Sequence, residues 1–221
     1  MVLRFKKSYF LLLFLCGCSF SDVTRVEYPI DPVLITDKDG ETWDVTQAVV
    51  LFDFDVTRFT RGEGAFANRP LLNPPMTNVG DRGYPLESET FVVIGTTVNG
   101  DPRAYPMDGL VDHTVIDDLH RGVSVALVTE PSDGTTRAYN RATSEGVLTL
   151  SDSGWSYAGR LVLYDYETGS LWYRIADDKK LTCIGGEHFK KTLVAYTAQK
   201  TPWNEWKVAQ PLTGVLIFRG N

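Results

Sequence analysis

Gly109 to Gly122 reads GLVDHTVIDDLHRG and gathers two of the chain's three histidines, His113 and His120, with Asp112, Asp117 and Asp118. Imidazoles and carboxylates at short spacing can bind a metal ion or exchange protons. On a helix, His113 and Asp117 would hold their Cβ atoms about 5–6 Å apart, close enough to share an ion. On a strand they share a face but stand about 13 Å apart, at ~3.3 Å per residue, too far for one ion. HTVID is β-branched and alternating, so the strand prevails and the local chelate fails. Asp117, Asp118 and His120 then read as solvated residues of a turn at DDLHRG. His113 sits near the start of a strand, either as a hydrogen-bonded structural histidine or as one member of a site assembled from elsewhere.

Such a site has candidates. If strands from Thr114 and Val123 pair around that turn, His113 and Glu130 come to one end of the sheet, with Asp133 in the next hairpin turn. One imidazole and two carboxylates suit a borderline or hard cation, or acid–base work. The plainer alternative is an acidic hairpin turn. Cys183 and His188 are five apart in CIGGEHF, and an imidazole beside a thiol can make a nucleophile. Leu181-Thr182-Cys183-Ile184, however, reads as a buried stretch in which cysteine acts as a small hydrophobe. Ser151-Asp152-Ser153-Gly154 lacks the nucleophile-elbow pattern. GEG and CIGGE lack dinucleotide spacing, so no cofactor is indicated. Trp43, Trp155, Trp172, Tyr157, Tyr164, Tyr166 and Tyr173 could stack on a sugar or peptide, though packing accounts for most of them.

The elements that must position these residues are mainly strands. Phe91–Val98 meets Asn99-Gly100, a strong hairpin signal because both turn positions need positive φ. Val123–Thr129 meets PSDG and then TTRAYN. Arg160–Tyr166 meets ETGS and then LWYRI. Their alternation suits a sheet with one buried face. Thr201 and Pro202 supply an N-cap and a first helical residue for WNEWKVAQ, whose Trp203 and Trp206 share a face. A second helical turn runs from Pro106 to Leu110. The stretch 59–85 is rich in Gly and Pro and reads as a long ordered loop anchored by Phe66, Leu71, Leu72, Met76 and Tyr84. The expectation is one mainly-β domain (α+β at most) over 32–221: antiparallel hairpins in a sandwich or partly open barrel, with one or two short helices.

Residues 1–17 stand outside that domain. Arg4, Lys6 and Lys7 precede an apolar run from Tyr9 to Leu15, too short to span a bilayer but suited to a signal peptide. Leu15-Cys16-Gly17-Cys18 resembles a bacterial lipobox, with Cys18 as the acylated mature terminus. The alternative is an ordinary secretory signal. A chain beginning at Cys18 has 204 residues, and removal of Arg4, Lys6 and Lys7 takes the formal charge from −6 to −9. Residues 18–31 would be a tether to the membrane. Ser19 after Cys18 favours the outer membrane in a Gram-negative host. An acidic mature chain without a Lys/Arg cluster argues against nucleic acid, and with Cys18 acylated Cys183 is the only cysteine left, which excludes an intrachain disulfide.

In order along the chain come GDPRAYP, the histidine segment, LVLYDYETGSLW, LTCIGG and TPWNEW. From about Glu41 onward this resembles the bacterial and archaeal family named domain of unknown function 3179. The resemblance implies a His-Glu pair after R-A-Y-P and a Cys-Pro-x-Cys-Gly segment after the next strand. Here Thr114 follows His113 where the acid would stand, and Glu130-Pro131-Ser132-Asp133-Gly134 lacks both cysteines. The family brings no established activity. The expectation is a lipid-anchored protein of the cell envelope, a binding or structural module with an envelope protein as partner. The rival is a metal-dependent or acid–base enzyme centred on His113, Glu130 and Asp133.

Overall fold

The computed structural model describes residues 31–38, 40–62, 69–79, 91–110, 112–175 and 179–217. Cys16 and Cys18 lie outside them, as do Phe66 and Tyr84. The chain opens with β1 (Leu34–Thr36), β2 (Thr42–Asp44), helix α1 (Thr46–Phe52), β3 (Phe59–Arg61), β4 (Leu71–Leu72) and β5 (Met76–Asn78). Next come β6 (Val92–Val98), β7 (Asp101–Pro106), helix α2 (Met107–Leu110), β8 (Val115–His120), β9 (Val123–Thr129) and β10 (Thr136–Asn140). Then follow β11 (Leu150–Tyr157), β12 (Arg160–Asp165), β13 (Leu171–Tyr173), β14 (Lys180–Gly185) and β15 (Thr192–Tyr196). β16 (Ala198–Pro202), helix α3 (Trp203–Ala209) and β17 (Gly214–Leu216) complete the described chain.

Turn chemistry places the hairpins. Asn99 and Gly100 take φ of 51° and 68° and join β6 to β7; Arg121 and Gly122, at 44° and 86°, join β8 to β9. Ten strands form a curled half-barrel sheet in the order β3-β11-β12-β13-β14-β15-β10-β9-β8-β4, and five form a second in the order β16-β6-β7-β17-β5. Neighbours are antiparallel except β4 beside β8 and β17 beside β7. The fold is mainly β, a partly open barrel of hairpins, as the sequence indicates. Within the supposed loop 59–85, the described parts contribute three short strands instead of irregular chain.

The expectation of one buried face is corrected. On β9, Ala126 and Val128 face a core with Leu150, Leu163, Trp172 and Leu181. Val125 and Leu127, on the other face, pack with Ile94, Val98, Tyr105 and Leu216 of the five-stranded sheet. β12 behaves alike: Leu163 joins the first core, while Val162 and Tyr164 meet Val45, Ala48 and Phe54 around α1. The curled sheet wraps one core and is covered on its outer side by two others. Burying a Val or Leu side chain fully is worth roughly 1.5–3 kcal/mol, which keeps both faces apolar.

Among the described residues three short α-helices form where one or two were expected. Trp203 and Trp206 of α3 pack on Val93, Ala104 and Val215. Trp206 lies so close to β6 that a Cβ on Gly95 would stand 2.4 Å from its ring. Thr201 does not cap this helix; with Pro202 it closes β16, and no side chain caps α3. The unforeseen helix is α1, TQAVVLF, whose valines favour strands and whose N-cap, Val45, makes no side-chain bond. Buried Ala48, in the core with Ile184 and Leu171, docks it there, so tertiary contact overrides propensity.

Candidate functional site

The residues that open the sequence argument do not form a turn. β8 runs through His120, and Asp117, Asp118 and His120 are 0, 2 and 0% exposed. This corrects the solvated-turn expectation: the turn is only Arg121-Gly122, and other strands supply partners that let the polar groups go inside. Asp118 accepts both contacts of Arg103 Nη1, at 2.6 and 2.7 Å, and the Tyr105 hydroxyl at 2.6 Å. Its other donor is the Leu119 N–H at 2.7 Å. The Tyr105 oxygen also meets His120 Nε2 at 2.9 Å, and with its proton committed to Asp118 it accepts from that nitrogen. His120 Nδ1 then faces the Asp101 carbonyl at a longer 3.3 Å. Burial lowers the His120 pKa although Asp118 beside it pulls the other way. Burial likewise lifts the Tyr105 hydroxyl well above its usual range.

The opposite face of β8 carries Asp117. Its Oδ2 accepts from Leu150 N–H at 2.9 Å and lies 3.4 Å from Arg141 Nη1, while Oδ1 has no hydrogen-bond partner among the described residues. Burial outweighs Arg141 and raises this carboxyl to about 7. Tyr105, Asp117, Asp118 and His120 are enclosed while Arg103 keeps 17% of its side chain exposed, and the two clusters form a polar frame between sheets.

His113 is half-buried, and Thr129 donates to the Thr114 carbonyl at 2.8 Å. The β8–β9 ladder therefore continues, and His113 and Glu130 do share one end of the sheet. Among the described residues no three His, Cys, Asp or Glu side chains form a group able to hold a metal ion. Glu130 Oε2 takes the Leu161 N–H at 2.9 Å, and burial raises its pKa. Asp133 Oδ1 takes the Thr135 N–H at 2.8 Å, a bond that lowers its pKa. Of the two acids standing where thiols are implied, Asp133 thus braces the turn, whose Gly134 has φ of 68°, and Glu130 ties its start to β12. Cys183 is enclosed, donates to the Gly185 carbonyl at 3.2 Å, and has its pKa pushed up by burial to about 12. A thiol so protonated is a poor nucleophile. The buried His188 ring holds its Nδ1 3.2 Å from Lys191 Nζ and tilts against Trp172.

The motifs of the resemblance interlock. Asp165 in YDYETGSLW accepts from Thr168 N–H and Oγ1, both at 2.7 Å, and from Trp172 Nε1 at 2.7 Å. Gly186 in CIGG has φ of 99° and lies against Ser170, whose Oγ would be 2.6 Å from any Cβ there. Elsewhere a groove of about 510 Å³ is lined by Arg69, Pro70, Leu72, Tyr164 and Tyr166. Leu72 is 52% and Tyr166 46% exposed, and the two tyrosine rings lie 5.4 Å apart. Sequence reasoning named these tyrosines but missed the Arg103–Tyr105–Asp118–His120 cluster. Its signal was the alternation of Arg103 with Tyr105 and of Asp118 with His120, two polar pairs at strand period.

The family model described as "Protein of unknown function (DUF3179)" matches residues 70–220, and the chain belongs to that family. No curated protein and no solved structure matches it.

Proposed function

We propose that this DUF3179 member is a lipid-anchored protein of the cell envelope whose β domain serves as a binding or structural accessory module. The anchor is Cys18, the leader is 1–17, and 18–31 is the tether. The observation that carries the binding role is the Tyr164–Tyr166–Leu72 groove. Exposed aromatic and aliphatic surface beside an arginine is where interfaces concentrate their energy. By contrast, Glu130, Asp133 and Cys183 are each occupied by hydrogen bonds of the frame.

Labelling of growing cells with an alkyne palmitate analogue tests the anchor. The full chain should take up label and Cys18→Ala should not; unlabelled wild type, or label retained without Cys18, refutes it. A photo-crosslinker at Tyr166 tests the groove, with one at the exposed Val147 as control. Discrete envelope adducts should form only from position 166, and equal adducts from both positions would rule out a specific groove.

A further inference from the structure

The chain passes from the ten-stranded sheet into the five-stranded one between β15 and β16, and a second pocket, of about 360 Å³, opens at that corner. Arg137, Lys179, Thr136, Tyr196 and Thr197 line it with two alanines. The ladder explains why two cations meet here. Ala195 donates to the Lys179 carbonyl at 3.0 Å, and Ala138 on β10 pairs with Tyr196. Lys179 and Arg137 therefore flank one stretch of β15 from its two neighbours.

Arg137 Nε is enclosed without a hydrogen-bond partner, and among the described residues neither the Arg137 nor the Lys179 side chain makes a hydrogen bond or ion pair. Among the described residues no carboxylate lines the pocket. Asp133, within electrostatic reach of Arg137, bonds to Thr135 instead. An enclosed donor facing no acceptor is costly. The terminal Nη–H donors of a guanidinium match two oxygens of one group, and an ammonium beside it adds a second positive charge.

We propose that this pocket binds a small molecule through an oxyanion group, phosphate or carboxylate, held between Arg137 and Lys179. Thr136, Tyr196 and Thr197 give the remaining wall its polar character, so the ligand body is polar, not greasy. The site is separate from the tyrosine groove and from the anchor, so the failure of one leaves the others standing.

The test titrates the full chain, purified in detergent at low ionic strength, with inorganic phosphate and with citrate by calorimetry. At least one probe should bind saturably at one equivalent and weaken as salt is added. Arg137→Gln and Lys179→Gln should each weaken it about tenfold or more, the loss of one charge-assisted bond. Lys179→Glu should abolish it; Lys179 is exposed, so folding is not at stake, and an unchanged unfolding midpoint verifies this. Lys200→Gln, on exposed β16 outside the pocket, should bind like wild type. Tighter phosphate binding would identify a phosphoryl ligand, and tighter citrate binding a carboxylate one. No saturable binding of either probe overturns the proposal, as does an equal loss in the Lys200 variant.

Discussion

Replacing Asp117 by Asn removes a charge from within β8 while nearly preserving shape. Burial raises this carboxyl from its ordinary 3.8 to about 7. The folded state therefore holds the proton more tightly than the unfolded chain does. That contribution to stability is complete below about pH 4 and is lost as pH rises toward 7. About three pH units at ~1.36 kcal/mol each come to roughly 4 kcal/mol, a large share of the 5–15 kcal/mol typical of a domain. Other groups titrate in the same window, so the informative quantity is the difference between wild type and variant. Urea unfolding followed by tryptophan fluorescence at pH 5 and pH 8 gives it. The variant should be more stable than wild type by up to roughly 4 kcal/mol at pH 8, and the gap should shrink toward pH 5. Arg141 keeps its bonds to the carbonyls of Val125 at 3.2 Å, Asp118 at 3.4 Å and Leu148. It is therefore anchored without Asp117. If the ion pair dominated instead, the variant would lose most stability at high pH. That opposite sign, or parallel profiles, refutes the reasoning.

Tyr105→Phe should cost about 1–3 kcal/mol in urea unfolding, because Asp118 loses a donor and His120 a partner deep inside the protein. Gly95→Ala should cost about 1–3 kcal/mol by overpacking and shift tryptophan emission, since its Cβ meets the Trp206 ring; an unchanged spectrum and midpoint would contradict the packing. The Cys183 thiol should resist a thiol reagent in the native chain at pH 8 and react fully in urea. Fast native modification would show that it is not enclosed.

Hairpins were legible because their determinants are local. Asn99-Gly100 states its own turn, and the runs beside it alternate as strands must. The fate of DDLH was not legible, since two carboxylates and an imidazole before Arg-Gly look like a solvated bend. Only the arrival of Arg103 and Tyr105 from one sheet and Arg141 from another strand makes their burial affordable. Helix α1 escaped notice for a related reason: its valines favour strands, and the surface that holds Ala48 is built from residues over 100 positions later. For the candidate site, chain order told correctly that His113 and Glu130 end on one edge. It could not tell that Leu161 would claim the Glu130 carboxylate.

A single residue, Thr197, separates β15 from β16, and its carbonyl accepts from Thr96 Oγ1 on β6 at 2.9 Å. One length of backbone is thus common property of both sheets, stitched at the crossing point. Neither sheet can peel away without dragging the other, so the body should yield to heat or force as a single mechanical piece.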